Sequence, residues 1–294
     1  MAETHSIRWF VTGAGGMLGA DVSDCLAASG YDVIAVTKGH LDITDRKRVL
    51  ESVRQVQPDI IVNCAAYTKV DDCEANIETA NVVNGAAVGH LAEAANEADA
   101  LLVQVSTDFV FDGSATRPYE PDDKTSPLSA YGASKLLGEQ EAELAKKHII
   151  VRASWLFGTK GPNFVEAMRK QIDSGRTELR VVDDQRGCPT YTPHLASAIQ
   201  ALALEAATHR SARGVVHYAD APECTWYEFA TQIVRRLRPD GRVAVRPVTT
   251  AEFPRPARRP AYSVLSTKRY ETITGKKPAS WQEGLEQYLA SARV

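Results

Sequence analysis

A glycine-rich turn close to the start of the chain narrows the choice of fold more than any other feature. Thr12-Gly13-Ala14-Gly15-Gly16-Met17-Leu18-Gly19 separates a strand-like apolar run at 7–12 from a stretch where Leu18, Val22 and Leu26 recur at i, i+4 and i+8. That recurrence is one face of a helix. Gly13, Gly16 and Gly19 stand at GxxGxxG spacing. A tight turn after a strand needs a residue without Cβ, close approach of a pyrophosphate needs a second, and close helix–strand packing needs a third. The helix N-terminus then offers unpaired N–H groups and a positive dipole end to phosphate. Glycines also serve turns that bind nothing, so the reading rests on the place of this loop, opening a βαβ unit. It makes Gly13, Gly16, Met17, Leu18 and Gly19 the candidate dinucleotide cradle.

Further apolar runs follow at 32–36, 59–63, 101–106 and 148–152, with helix patterns between them at about 79–97 and 129–146 and around Val49, Val53 and Val56. Apolar strands separated by helices predict an α/β fold, a Rossmann-type doubly wound parallel sheet covered on both faces. After about residue 155 strands become sparse, and short helices are expected near 162–174, 192–206, 225–237 and 281–292. A length of 294 residues suggests about two domains. Residues 1–155 read as mainly the dinucleotide-binding domain. Residues 156–294 read as mainly a smaller, more helical substrate lobe, with segments near 181–218 returning to the first domain.

Composition removes several classes. Hydrophobic residues at 44% and charged residues at 24% are ordinary for a globular chain and argue against disorder. A net charge of 34 − 37 = −3 lacks the basic excess that nucleic acid demands. No apolar run approaches the ~18 residues of a membrane span, and the first residues lack the pattern of a signal peptide. The five cysteines, Cys25, Cys64, Cys73, Cys188 and Cys224, form no CxxC pair and read as reduced, mostly buried thiols of a cytoplasmic protein. The histidines, His5, His40, His90, His148, His194, His209 and His217, are scattered without i, i+4 pairs, so no metal is expected. Asp183-Asp184 offers at most a peripheral cation contact, and reads better as a turn at a strand end.

Cofactor type is read from the end of the second strand. NAD-selective sites place a carboxylate there for the ribose 2′-hydroxyl. Here the strand runs into Thr37-Lys38-Gly39-His40, without one. Lys38 is therefore a candidate partner for a 2′-phosphate, or else a solvated loop lysine, and Asp42-Ile43 a candidate adenine contact. NADPH is the expected cofactor, with some use of NADH.

Catalytic candidates come from Tyr131-Gly132-Ala133-Ser134-Lys135, a YxxxK spacing that puts both side chains on one helix face. A tyrosine near pKa ~10 is poorly matched to neutral pH, and a neighbouring ammonium is expected to lower it by roughly one to three units. Upstream, Ser106-Thr107-Asp108-Phe109 ends the fourth strand, where ligands of open parallel sheets sit. Thr107 and the Tyr131 helix thus converge on one crevice, and Asn63-Cys64-Ala65-Ala66-Tyr67-Thr68 adds small residues beside the same cofactor, with Ala65, Ala66 and Tyr67 as its candidates.

In GAGGMLG (13–19), NCAAYTKVDDCE (63–74), STDFVFDG (106–113), YGASKLLGE (131–139), RASWLFG (152–158), VVDDQRGCPT (181–190) and RRPAYSVLS (258–266) the chain resembles the extended short-chain dehydrogenase/reductases. Within them it is most similar to the dTDP-4-dehydrorhamnose reductase family. The resemblance implies NAD(P)H-dependent reduction of the C4 ketone of dTDP-4-dehydro-β-L-rhamnose, with Thr107, Tyr131 and Lys135 carrying the chemistry. It also implies a sugar site lined by Asp108 and Trp155, to which Thr68, Val70, Phe109 and Tyr131 are added. Arg258 and Arg259 are candidates for the substrate diphosphate, since guanidinium forks suit phosphate oxygens. Related 4,6-dehydratases follow their threonine with Asp-Glu. Here Phe109 replaces the second carboxylate, so elimination lacks a proton carrier that reduction does not need. Family members commonly carry Gln at Met17, Tyr at Phe109 and Asn at Tyr262, which leaves the sugar open. Another dTDP-4-keto-6-deoxyhexose reductase and a non-catalytic NADP-binding regulatory subunit are the alternatives. The partner is a small nucleotide sugar, and the chain is expected to be a monomer or homodimer.

Overall fold

Parallel pairing organises the first half of the chain in the computed structural model, which describes residues 7–291. The first part runs β1 (Arg8–Thr12), α1 (Met17–Ala28), β2 (Asp32–Val36), α2 (Arg46–Val56), β3 (Ile60–Asn63), α3 (Val70–Cys73), α4 (Ile77–Asn81) and α5 (Ala87–Glu97). It continues through β4 (Leu101–Thr107), α6 (Ala130–Ala142), β5 (His148–Ala153), β6 (Leu156–Phe157), α7 (Phe164–Asp173) and β7 (Glu178–Val182). The remainder is β8 (Arg186–Gly187), β9 (Thr190–Tyr191), α8 (Thr192–Thr208), β10 (Gly214–His217), β11 (Cys224–Thr225), α9 (Trp226–Leu237), β12 (Ala244–Val248), α10 (Lys268–Thr274) and α11 (Trp281–Ser291).

The central sheet has the order β10-β5-β4-β3-β1-β2, and every neighbouring pair is parallel. The chain moves outward from β1 to β2 and then returns to the other side of β1 for β3. That reversal opens a crevice beyond the carboxyl ends of β1 and β3, where ligands of such sheets bind. Both faces are covered, as continuous apolar strands require. Leu18, Val22 and Leu26 of α1 pack with Leu195, Ile199 and Leu202 of α8 on one face. Val49 and Val53 of α2 and Val88 and Leu91 of α5 cover the other.

A second core gathers Phe157, Val165, Met168, Phe229, Ile233, Trp281 and Leu285 around α7, α9 and α11, beside the β7–β12 pair. The structure redraws which later segments join the large sheet. Residues 192–217 do, through α8 and β10, and α10 joins them through Tyr270. Residues 178–191 stay with the second core, because β7 pairs with β12, β8 with β11 and β9 with β6.

The single helix expected over 79–97 is interrupted by a π-helical turn at Val82–Ala86. Two contacts account for it. Asn84 turns inward to hydrogen-bond Tyr67 and Ser134, and Gly85 lies directly against Leu137, where a Cβ would clash. No helix among the described residues is long and apolar enough to cross a membrane.

Candidate active site

The glycine loop has the shape its sequence predicts. Gly13 has φ of +69°, and a Cβ there would lie 2.5 Å from the Ala65 nitrogen. The turn and the β3 exit therefore share space only because a side chain is missing. A Cβ on Gly19 would collide with the Gly13 carbonyl, so the third glycine sets how closely α1 approaches β1. Gly16 caps α1 without a side-chain hydrogen bond, and its first turn carries no acidic residue. The first N–H groups of α1 are thus available to an anion. This cradle fits a dinucleotide pyrophosphate. The 158–161 loop lies against Met17, while Leu18 is buried in the core.

At the end of β2, Lys38 is exposed and 3.9 Å from Asp42. Asp42 is itself occupied, because its Oδ1 accepts from the Thr44 N–H at 3.0 Å and the Thr44 hydroxyl at 2.8 Å. These bonds hold its carboxyl below the ordinary range. Ile43 is buried in the core over α2 and α5, and its carbonyl lies 3.1 Å from His90 Nδ1. Lys38 is thus an exposed cation at the strand end, while Asp42 is hydrogen-bonded within its own turn and the Ile43 side chain is buried.

The β3 exit is locked by buried amides. Asn63 accepts from the Thr12 hydroxyl at 2.6 Å and from the Ala65 N–H at 3.1 Å, and donates to Gln104 at 2.7 Å. Asn84 accepts from the Tyr67 N–H at 2.7 Å and donates to the Tyr67 carbonyl at 3.0 Å and to the Ser134 hydroxyl at 2.9 Å. Ala65, Ala66 and Tyr67 are therefore fixed beside the glycine loop and tied to α6, with Thr68 exposed and Val70 half-buried just beyond.

Ser129 caps α6 by accepting from the Gly132 N–H, which starts the helix at the point that faces β4. Tyr131 and Lys135 then share one face, and the Thr107 hydroxyl, which donates to Asp108 Oδ1 at 3.0 Å, lies near the Tyr131 phenol. The Phe109 ring meets Tyr131 edge-on at 5.6 Å. The expected lowering of Tyr131 by Lys135 does not hold. Burial is the main cause of a Tyr131 pKa pushed upward, with the Asp108 charge adding to it and Thr107 opposing it. Lys135 does not offset this rise. It is 4% exposed, donates to the Val105 carbonyl at 2.7 Å, and burial pushes its ammonium down to about 8. Tyr131 consequently stays protonated at neutral pH and is a proton donor, the form that a developing alkoxide requires.

Asp108 is fully enclosed, and burial pushes it up to about 6, with Ser263 and Thr107 opposing the rise. Its Oδ1 accepts from Thr107 at 3.0 Å. Its Oδ2 and the nearby Ser263 hydroxyl are both buried, and neither has a hydrogen-bond partner among the described residues.

A cavity of about 980 Å³ adjoins this centre. Phe109, Trp155, Phe164 and Trp226 form its aromatic wall, and Arg176, Arg180, Arg255, Arg258 and Arg259 reach its rim. Trp155 is held with φ of +50°, its indole stacked on Trp226 at 3.6 Å and 8°. Arg259, expected to meet the substrate diphosphate, is paired with a carboxylate in this structure. Both its terminal nitrogens bind Asp71, at 3.1 and 3.2 Å, so its fork is not open to a phosphate. Among the described residues, Arg258 alone of the five cavity arginines has no side-chain partner.

Sequence reasoning missed the network beneath the catalytic helix. Glu139 accepts from Ser106 at 2.5 Å and from Arg152 at 2.9 and 2.7 Å, both charges being almost fully buried. Arg152 also donates to His217 Nε2 at 3.3 Å, so that nitrogen accepts and Nδ1 donates to the Tyr119 carbonyl at 3.0 Å. The available signal was a charge ending the otherwise apolar strand HIIVR, with Glu139 one helical turn past Lys135.

His217 must stay neutral there. Burial, reinforced by the Arg152 charge, pushes it down to about 3, with the Tyr119 carbonyl and Asp123 opposing. Between that value and the unfolded ~6.5 the folded state binds fewer protons, so this group's stability is complete above pH ~6.5 and is lost on acidification below it. Asp108 titrates in the opposite sense over part of this window, so the test is a difference. The stability advantage of wild type over His217→Gln, from urea unfolding, is expected to shrink steadily from pH 7 to pH 4.

Among the described residues no three metal-ligating side chains cluster, and His5 lies outside the described residues. Asp183 accepts from Thr225 at 2.6 Å and Asp184 from Thr250 at 2.7 Å, so each carboxylate is engaged in local turns. All five cysteines are free thiols, three of them buried.

Sheet, glycine cradle and the Thr–Tyr–Lys group together define a dinucleotide-dependent oxidoreductase of the short-chain dehydrogenase/reductase type. Residues 7–294 match the family described as the RmlD substrate binding domain. The chain is 42% identical to the spore coat polysaccharide biosynthesis protein SpsK of Bacillus subtilis, over 95% of each chain. It is 40% identical to a dTDP-4-dehydrorhamnose reductase of Streptomyces griseus, over 95% of this chain and 92% of that one. A dTDP-4-dehydrorhamnose reductase from Bacillus anthracis, solved in complex with NADP, superposes with a TM-score of 0.91 at 37% identity, covering 97% of this chain and 99% of that one. The chain belongs to the dTDP-4-dehydrorhamnose reductase family.

Proposed function

We propose that this protein reduces the C4 ketone of dTDP-4-dehydro-β-L-rhamnose to dTDP-L-rhamnose, using NADPH and, less selectively, NADH. The observation that carries the reading is a buried phenol beside Thr107 and one helical turn from Lys135, between the glycine cradle and an arginine-rimmed cavity. When bound, the dihydronicotinamide supplies hydride. Gly13, Gly16, Gly19 and the α1 N-terminus would hold its pyrophosphate, Lys38 its 2′-phosphate, and Ala65, Ala66 and Tyr67 its far end.

Tyr131 gives its proton to the C4 oxygen as negative charge develops there. Thr107 orients that phenol and the carbonyl. Lys135, charged below about pH 8, stabilises the phenolate left behind and reaches the cofactor ribose. Trp155 and Phe109 flank the sugar, with Asp108, Thr68 and Val70 around it, and Arg258 meets the diphosphate in place of Arg259. Residues 1–155 act mainly as the cofactor domain and 156–294 mainly as the substrate lobe, in a cytoplasmic monomer or homodimer.

A second reading, reduction of another dTDP-4-keto-6-deoxyhexose, is favoured by one feature. Phe109 presents an apolar edge to Tyr131 and the cavity where family members commonly carry a tyrosine. Following nicotinamide absorbance with dTDP-6-deoxy-4-ketohexose, with and without a 3,5-epimerase, separates the two. The first reading expects oxidation that depends on the epimerase and yields dTDP-L-rhamnose; epimerase-independent turnover supports the second. No consumption of NADPH or NADH with either substrate rejects both.

A further inference from the structure

We propose that Asp71 is a positioning residue that clasps the 253–260 segment against the cofactor-binding half, shaping the cavity wall so that Arg258 faces the substrate. The proposal rests on the reading of that cavity as the nucleotide-sugar site. Asp71 belongs to α3, which begins two residues after the Ala65–Thr68 stretch beside the cofactor cradle. Three groups of one distant segment converge on its carboxylate. Oδ1 accepts from the Ala257 N–H at 3.2 Å and from Arg259 Nη1 at 3.1 Å, Oδ2 accepts from Arg259 Nη2 at 3.2 Å, and Arg255 approaches Oδ2 at 3.8 Å.

The arrangement is a built joint and not a passing surface pair. Arg259 is bidentate, the geometry in which guanidinium and carboxylate bind most strongly. Its Nη1 also donates to the Ala257 carbonyl at 3.0 Å, closing the segment on itself. Both side chains are largely covered, at 22% and 27% exposure, so solvent screens the pair less than a fully exposed one. Pro260 and Ala257 are buried, and they line the cavity together with Phe253, Pro254 and the exposed Arg258. Asp71 thereby spends one arginine to hold the neighbouring one in place. It also links the loop that would meet nicotinamide to the wall that would meet substrate.

The competing role for the same contact is a placeholder, in which Arg259 leaves Asp71 to bind substrate phosphate. The two roles predict opposite signs for Asp71→Asn. A clasp expects KM for the dTDP-4-keto sugar to rise about tenfold, the size of one lost charge-assisted pair. It also expects kcat and the NADPH Kd to stay within about twofold, with Asp71→Glu recovering part of the KM. A placeholder expects KM to fall as Arg259 is freed, and that result, or an unchanged KM, overturns the proposal.

Trypsin supplies a readout independent of turnover. Arg255 and Arg259 each precede proline, which trypsin does not cut, so Arg258–Arg259 is the one scissile bond between 253 and 260. The clasp expects Asp71→Asn to be cut there at least several-fold faster than wild type, with an unchanged melting temperature and no substrate present. Equal cleavage rates refute the clasp even if the sugar substrate is misassigned. Faster cleavage without any wild-type turnover would sustain the clasp and remove only the substrate reading.

Discussion

Tyr131→Phe is expected to lower kcat for the 4-keto sugar by about 100-fold or more, the range of one positioned general acid, while the NADPH Kd changes by less than about twofold. The argument comes from the environment of the ring. Burial and the Asp108 charge hold the phenol protonated, with Thr107 beside it. Phenylalanine keeps the ring and its edge contact with Phe109 but removes the phenolic proton. The glycine cradle, the β3 exit and Lys38, which the proposed function assigns to the cofactor, are left intact by the substitution. Stopped-flow single-turnover measurements separate this loss from slow product release. Undiminished single-turnover rates would exclude Tyr131 as the proton donor.

Arg152→Met carries the largest expected effect on stability, a loss of about 3–5 kcal/mol in urea unfolding, because it strands the Glu139 carboxylate in the interior. Arg152 supplies two of the three hydrogen bonds that Glu139 accepts, and it is also the donor that fixes His217. Removing both charges is a different experiment. Glu139→Leu combined with Arg152→Met replaces an ion pair by apolar volume, which often costs little. The double variant is expected to recover more than half of the loss, with the remainder left in the orphaned Ser106 hydroxyl and His217 nitrogen. A double variant no more stable than Arg152→Met would mean that the cost lies in shape and not in charge.

The parts of this fold that could be read from sequence are those where neighbouring residues carry the whole message. The apolar runs at 32–36 and 101–106 announce their strands, and GxxGxxG announces its turn, because each signal is complete within about ten residues. β10 is only four residues long, and its partner β5 lies more than sixty residues earlier, so no local pattern marks Gly214–His217 as part of the main sheet. Tyr131 and Lys135 were legible through their helical spacing and Thr107 through its strand end. Their protonation behaviour was not, because burial is a property of the assembled crevice and outweighs the pairwise charge effect that spacing suggests. Arg259 shows the same limit. Its type suits a phosphate, yet its partner is a carboxylate 188 positions away. Asn84 and Glu139 do their work through side chains turned inward from helices, which composition does not distinguish from surface polar residues.

The placement of β10 and α8 has a consequence for how this molecule can be divided. A polypeptide ending near residue 155 would keep the glycine cradle, Thr107, Tyr131 and Lys135. It would nevertheless leave β5 as a raw edge, ready to pair with another chain, and would uncover Val22 and Leu26 to water. The catalytic half is therefore not a detachable module. The later half threads back to finish its sheet, so protein engineers seeking to swap the sugar-binding lobe must transplant 156–191, 219–267 and the 281–291 helix together and leave 192–218 and 268–274 with the cofactor half.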